Sequence, residues 1–337
     1  MSRIMLVCGA GGFIGGHLVP YLHDKGFSVR AVDRKPLFEW WQWHPGVESL
    51  CLDLSEPESC RAACENVEQV FQLAASMGGI GYIETERVDC MRNVLVNVHM
   101  LEAAWRAGAR RYFYSSSACV YASGKQDATD SAALKEEDAY PAMAERGYGW
   151  EKLYSEMLAQ EYWAERGLET RIARFHNVYG PWTEWRGGRE KAPAAICRKV
   201  LEATDPETGT GEIEIWGDGQ QTRSFCWIDD CVRGVWDLSQ SNVREPMNIG
   251  SAELVTIDEL VTIAEECAGA KLKRRYNPDA PKGVRNRNSD NTLFRAAFGW
   301  EPSTLLREGM ERLYRWVAEQ YRAARDGQAS SPLTTDN

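Results

Sequence analysis

Short apolar runs alternate with stretches of helical spacing from the first residues onward. "RIMLVC" passes through a glycine turn into "FIGGHLVPYLHDKG", and "SVRAVD", "VESLCLD", "VEQVFQLAA" and "RRYFYSS" continue the series. Compact apolar runs fit strands buried on both faces, and the amphipathic segments between them fit crossover helices. The pattern predicts an α/β protein with a doubly wound parallel sheet. The helix "YGWEKLYSEMLAQEYWAERG" then feeds the strand "ETRIARF". Beyond Asn177 the rhythm loosens into "GPWTEWRGGREK", a helix "APAAICRKVLEA", and short pieces such as "GEIEIW" and "EPMNIG". Two lobes are expected, 1–178 and a smaller mixed α/β C-terminal lobe over 179–322, with some segments of the second returning to the first. Residues 323–337 are expected to form a disordered tail.

The glycine turn makes the first lobe chemically specific. "CGAGGFIGG" departs from GxGxxG because Ile14 takes the sixth position, but Gly9, Gly12 and Gly15 fit GxxGxxG. Glycines between a strand and a helix allow a tight turn and close approach of pyrophosphate to the helix N-terminus. Asp33 ends the second strand 18 residues after Gly15, where an acidic side chain accepts from ribose hydroxyls and repels a 2′-phosphate. The motif in its strand–turn–helix–strand setting predicts a Rossmann-type lobe that binds NAD. Arg34 and Lys35 beside Asp33 leave NADP open. Phe13 and Ile14 lie within the turn, Asp53 and Leu54 follow the third strand as adenine-side candidates, and Ala74 precedes a small-residue loop suited to lie close to the cofactor.

Composition narrows the partners. The 337 residues carry 39 basic and 49 acidic side chains, a net charge of -10, which disfavours nonspecific nucleic-acid binding but permits a local basic pocket. No apolar run approaches the roughly 20 residues of a membrane span, and a cytoplasmic location is expected. The ten cysteines are scattered without a CxxC pair, so free thiols are expected and no metal site. "WWQW" at 40–43 is read as cover for a pocket or a subunit surface.

Tyr148 and Lys152 form a YxxxK pair whose interval of four puts both on one helix face. An ammonium beside a phenol lowers the phenol's pKa toward a value useful for removing an alcohol proton. Ser117, at the end of "RRYFYSSS", is the candidate hydroxyl partner.

Taken together, Gly9–Gly15, Ser117 and Tyr148/Lys152 resemble the extended short-chain dehydrogenase/reductase family, whose sugar-nucleotide members include epimerases, dehydratases and decarboxylases. The resemblance runs to about residue 322 and implies an NAD-binding lobe followed by a substrate lobe. Within the family, "SSACVY", "RFHNVYGPWTEWRGGREKAPAAICRK", "WGDGQQTRSF" and "GVRNRNSDN" resemble a subgroup that inverts C3 and C5 of GDP-mannose through a transient 4-ketone, giving GDP-L-galactose and GDP-L-gulose. That resemblance implies Cys119 and Lys191 as the acid/base pair, and a thiol in an electropositive field makes Cys119 the expected base. It also implies Asn177, Lys199, Arg223 and Arg285 around the pyrophosphate, with Glu190 and Gln221 as weaker contacts. Gly78 and Gly79 resemble a loop that lets the sugar lie near the nicotinamide. Arg198 and Arg287 are further candidate cations. Family members usually form homodimers through a helix bundle, for which 84–107 and 148–166 are the candidate helices.

Other readings share part of this set. A 4-epimerase, 4,6-dehydratase or decarboxylase would use the same glycine turn, Tyr148 and Lys152, and a non-catalytic NAD-binding protein would need the turn alone. Ala118–Cys119 argues against a dehydratase, which is expected to carry acidic residues there. The segment "DAYPAMAERGYG", the insertion "TGTGE" and "FEWWQW" depart from the subgroup's pattern and leave substrate preference and the balance of C3 against C5 inversion open.

Overall fold

A computed structural model of the chain describes residues 4–327 and the short strand Leu333–Thr334. Its centre is a seven-stranded parallel sheet of β1 (Ile4–Cys8), β2 (Ser28–Asp33), β3 (Glu48–Cys51), β4 (Val67–Gln72), β5 (Arg111–Ser117), β6 (Glu169–Phe175) and β7 (Met247–Ile249). The spatial order is β7-β6-β5-β4-β1-β2-β3, with every neighbouring pair parallel. Period-two alternation divides each strand between two cores. Met5, Val7, Phe71, Phe113 and Ala173 face one side, while Leu6, Cys8, Val70, Tyr112 and Ile172 face the other. On the first side pack α1 (Phe13–Asp24) and the helix Ile228–Gln240; on the second pack α2 (Asn93–Arg106) and α3 (Tyr148–Arg166). The doubly wound fold expected from the apolar rhythm is the fold observed.

The remaining elements build the other wall of the site. They include α4 (Ala192–Ala203), the parallel pair Thr210–Trp216 and Lys271–Asn277, and a small sheet of Leu254–Thr256, Thr222–Ser224 and Asn286–Arg287. The chain does not divide cleanly after residue 178, because β7 lies between segments of this wall in sequence yet pairs with β6 in the main sheet.

The last helix, α5 (Leu306–Arg325), runs into the segment expected to be a disordered tail, and Leu333–Thr334 pairs with Gln42–Trp43. Residues 328–332 and 335–337 of that tail lie outside the described residues. On α5, Trp316 receives Trp41 and Trp182, with ring centroids 5.8 and 5.7 Å away. Trp40 is buried, and its indole N–H donates to the Lys35 carbonyl at 2.9 Å. The tryptophan cluster thus braces loops of both lobes against the final helix. All ten cysteines are unpaired. Among the described residues no helix is long and apolar enough to cross a membrane.

Helix α3 is fastened to β6 by a buried ion pair. Arg174 reaches Glu156 at 2.7 Å, with the two side chains 2% and 1% exposed. Arg174 also donates to the Glu136 carbonyl at 2.6 Å. Removing one partner of such a pair strands the other charge, so Glu156→Ala should lower stability by about 3–5 kcal/mol. Chemical denaturation followed by circular dichroism measures the loss.

Candidate functional site

The glycine turn sits at the carboxyl end of β1, where the strand order reverses, and opens a cleft beneath the N-terminus of α1. Gly9 has φ +79, and a Cβ there would lie 2.8 Å from the Ala74 nitrogen. A Cβ on Gly15 would come within 2.2 Å of the Gly9 carbonyl oxygen. Gly12 is the N-cap of α1 and supplies no side-chain cap, so the first-turn amides stay available to an anion. This cradle, which any side chain would fill, fits a dinucleotide pyrophosphate.

The other expected cofactor residues meet in the same cleft. Asp33 accepts from the Gly11 and Lys35 amides, both at 3.0 Å, which fixes its carboxylate at the end of β2. Asp53 accepts from the Ser55 amide at 2.9 Å, and this bond holds its carboxyl below the usual range. Phe13, Ile14, Leu54 and Ala74 line the walls, and Trp41 closes one side. Across the cleft mouth Lys35 pairs with Glu184 at 3.6 Å.

A second cavity lies between this cleft and the C-terminal wall, and the two share Met77, Gly78, Ser117, Tyr148, Phe175, Val178 and Lys191. Ser117 arrives at the end of β5 and Tyr148 on the first turn of α3. Tyr148 and Ser117 line the same shared wall. Lys152 is buried one turn on, with Nζ donating to the Ser115 carbonyl at 2.8 Å and lying 5.5 Å from the centre of the Tyr148 ring. The expected lowering of the phenol by Lys152 is not what the protein alone provides. Burial, then Cys119 and Glu151, push Tyr148 well above its usual range, and Ser117 opposes them. Burial also lowers the Lys152 ammonium.

Cys119 occupies the short turn after Ser117, its amide donating to Ser117 Oγ at 3.2 Å. It lines the second cavity but not the cofactor cleft, whereas Lys191 lines both. Burial pushes the Cys119 thiol up to about 11, with Glu145 reinforcing and Arg287 opposing the shift. Burial moves Lys191 down, which favours its neutral amine.

Asn177, Glu190, Lys199, Gln221 and Arg223 also line this cavity. Gln221 presents a buried Oε1 with no partner, while its Nε2 donates to the Trp216 carbonyl at 2.7 Å. Asn177 Nδ2 donates to the Ser224 carbonyl at 3.0 Å, and Lys199 Nζ to the Glu214 carbonyl at 3.1 Å. Glu190 is engaged by Arg198 at 3.0 Å. Burial and the adjacent Arg287 disfavour the Arg223 charge, an arrangement that an anionic ligand would relieve. Arg285 departs from expectation: its guanidinium binds both oxygens of Asp218, at 2.9 and 2.8 Å, and it does not line the cavity. Arg287, two residues on, does. Its segment had placed it among the candidate cations, but nothing local in sequence separated it from Arg285. Glu145 carried no sequence signal and was not anticipated.

Gly78 and Gly79 line the cavity, and their lack of side chains also admits a crossing segment. The Gly79 amide donates to the Arg189 carbonyl at 3.0 Å, and a Cβ on Gly79 would lie 2.4 Å from the Glu190 carbonyl oxygen. The glycines allow residues 189–190 to cross directly over the loop, which sets the position of Lys191.

The family model described as "NAD dependent epimerase/dehydratase family" matches residues 5–250. GDP-mannose 3,5-epimerase of Arabidopsis thaliana is 44% identical over 320 residues, 93% of this chain and 82% of the plant protein. GDP-mannose 3,5-epimerase 1 of Oryza sativa subsp. indica is 43% identical over 320 residues, covering 93% and 81%. Among solved structures, MoeE5 in complex with UDP-glucose and NAD superposes with a TM-score of 0.77 at 29% identity, over 94% of this chain and 99% of that one.

The packing yields a test that separates cradle from crossing. Gly15→Ala should purify with NAD content reduced tenfold or more, read by ultraviolet absorbance after denaturation. Gly79→Ala should lose turnover while keeping more of its NAD than Gly15→Ala, because it displaces the crossing segment that carries Lys191 and leaves the glycine turn in place.

Proposed function

The chain belongs to the NAD dependent epimerase/dehydratase family, and we propose that it converts GDP-mannose to GDP-L-galactose, with GDP-L-gulose as the companion product, by inversion at C5 and C3. The observation that carries this reading is the placement of Cys119 and Lys191 in one cavity whose wall, through Ser117 and Tyr148, is shared with the cofactor cleft. Held by the glycine turn and Asp33, bound NAD would supply the hydride acceptor, and later the hydride donor, for the sugar C4. Tyr148, aligned by Ser117, accepts the C4 hydroxyl proton and gives it back on reduction. Between those events the ketone acidifies the neighbouring C–H bonds, and Tyr148 and Ser117 donate hydrogen bonds to the enolate oxygen. Cys119 and Lys191 exchange protons with the carbon from opposite faces. Arg223 and Lys199 supply positive charge for the diphosphate, and a guanidinium group is able to offer paired donors. A simple 4-epimerase would leave the Cys119–Lys191 pair without a task, and a dehydratase is expected to carry acidic residues where Ala118–Cys119 stand.

The protein acts as a cytoplasmic homodimer in this reading. Exposed Val88, Met91 and Leu95 lie near the start of α2, and Trp150, Tyr154 and Met157 project from α3; these apolar side chains suit a helix-bundle interface. Light scattering after size exclusion should give twice the chain mass, and Tyr154→Glu combined with Met157→Glu should give the monomer.

Incubation with GDP-mannose in deuterated water tests the reaction itself. The expected products are the two L-sugar nucleotides, with deuterium at C5 and C3 by NMR. Cys119→Ala should retain NAD yet lose isotope incorporation at least a hundredfold, while Tyr148→Phe should abolish formation of the ketone. A 4-keto-6-deoxy product, or full deuterium uptake by Cys119→Ala, would overturn the assignment.

A further inference from the structure

The turn that leads into α3 brings a carboxylate to the reacting thiol. Glu145 reaches the substrate cavity from that turn with its side chain 15% exposed. Its backbone N–H donates to the Cys119 carbonyl at 3.0 Å, which fixes the separation of the two residues. Gly149 presses on the same carbonyl so closely that a Cβ would lie 2.2 Å from the oxygen. Arg287 completes the arrangement with three directed bonds. Nη2 donates to Glu145 Oε1 at 2.5 Å, Nη1 to Cys119 Sγ at 3.4 Å, and Nε to Gln126 Oε1 at 2.9 Å. One guanidinium therefore spans carboxylate and thiol.

The other titratable groups that act electrostatically with Cys119 are all from elements packed around it. They are Tyr148 and Lys152 from α3, Lys191 from the crossing segment, and Arg223 from Thr222–Ser224. Cys90 shares its apolar cluster. After burial, Glu145 is the group that most opposes ionisation of this thiol.

We propose that Glu145 is a positioning residue that keeps the proton on Cys119 Sγ, so that Cys119 enters each inversion as the acid and Lys191 as the base. This rests on the reading of Cys119 and Lys191 as the proton-transfer pair. Lys191 Nζ takes the proton from the carbon beside the ketone, and the C–H electron pair moves into the enolate. The enolate carbon then takes the proton from Sγ on its opposite face; the S–H bond breaks, and sulfur keeps the electron pair against Arg287. The proton held by Lys191 returns to Cys119 through solvent, which restores both groups. The burial that lowers Lys191 and raises Cys119 acts in the same direction.

Glu145→Gln keeps the shape and an oxygen for Arg287 but removes the charge. Labelling of Cys119 by iodoacetamide is followed across a pH series by mass spectrometry of its peptide, on NAD-loaded enzyme without sugar. Because the thiolate is the reactive form, the wild-type midpoint should lie above the ordinary thiol value of about 8.5. In Glu145→Gln the midpoint should fall by about one pH unit, a tenfold gain in thiolate at a fixed pH below it. Turnover of GDP-mannose by the variant should fall in kcat at least tenfold with KM within twofold, and Glu145→Asp should restore both readouts toward wild type. A wild-type midpoint at or below the ordinary value would overturn the proposal without any variant. So would an unmoved midpoint in a folded, NAD-loaded Glu145→Gln. Labelling needs no sugar, so an enzyme inert toward GDP-mannose would sink the assigned reaction and leave this titration readable.

Discussion

Strand order reverses between β1 and β4, and the connections on either side leave the sheet in opposite directions. The crevice this opens at the carboxyl ends of the strands is the constraint on which the site depends. Asp33 ends β2, Ser117 ends β5, and Phe175 ends β6, so residues distant in sequence face one edge without any special arrangement of their own. The glycines then decide how closely other groups approach that edge. Gly9 and Gly15 bring backbone to the cofactor cleft, and Gly79 brings the segment carrying Lys191 over its far side.

Charge is distributed against the average of the chain. The protein as a whole is acidic, yet Lys191, Lys199, Arg223 and Arg287 converge on one cavity. Burying several cations together is unfavourable unless each finds acceptors. Backbone carbonyls of Thr222 and Val284 hold Arg223, that of Glu214 holds Lys199, and Gln126 and Glu145 hold Arg287. On the proposed function the diphosphate adds the remaining counter-charge, and the net negative surface leaves this pocket as the favoured place for an anion.

Much of the fold was legible because its signals are local. Apolar runs separated by helical spacing carry the sheet, and the interval from Gly15 to Asp33 carries the cofactor cleft. Ser117 and the Tyr148–Lys152 interval placed the shared wall. Residues whose roles depend on a distant partner were not legible in this way. Arg285 and Arg287 are chemically alike and two positions apart; Asp218 draws one away while Glu145 and Cys119 hold the other. Glu145 lies 142 positions from Arg287, and no periodicity registers such a pair. The tryptophans of "WWQW" could be read only as cover for something. Their partners, Lys35 for Trp40 and Trp316 for Trp41, come from the folded arrangement.

The return of β7 to the edge of the main sheet also limits how this architecture can be rearranged by descent or design. The wall across the second cavity is encoded on both sides of Met247–Ile249, so no single crossover point exchanges it whole. Grafting a relative's specificity onto this scaffold would require two simultaneous segment replacements with β7 left in place. Gradual substitution along the cavity is consequently the more accessible route to a new substrate, and a chimera joined after residue 178 would replace a strand of the sheet along with the pocket.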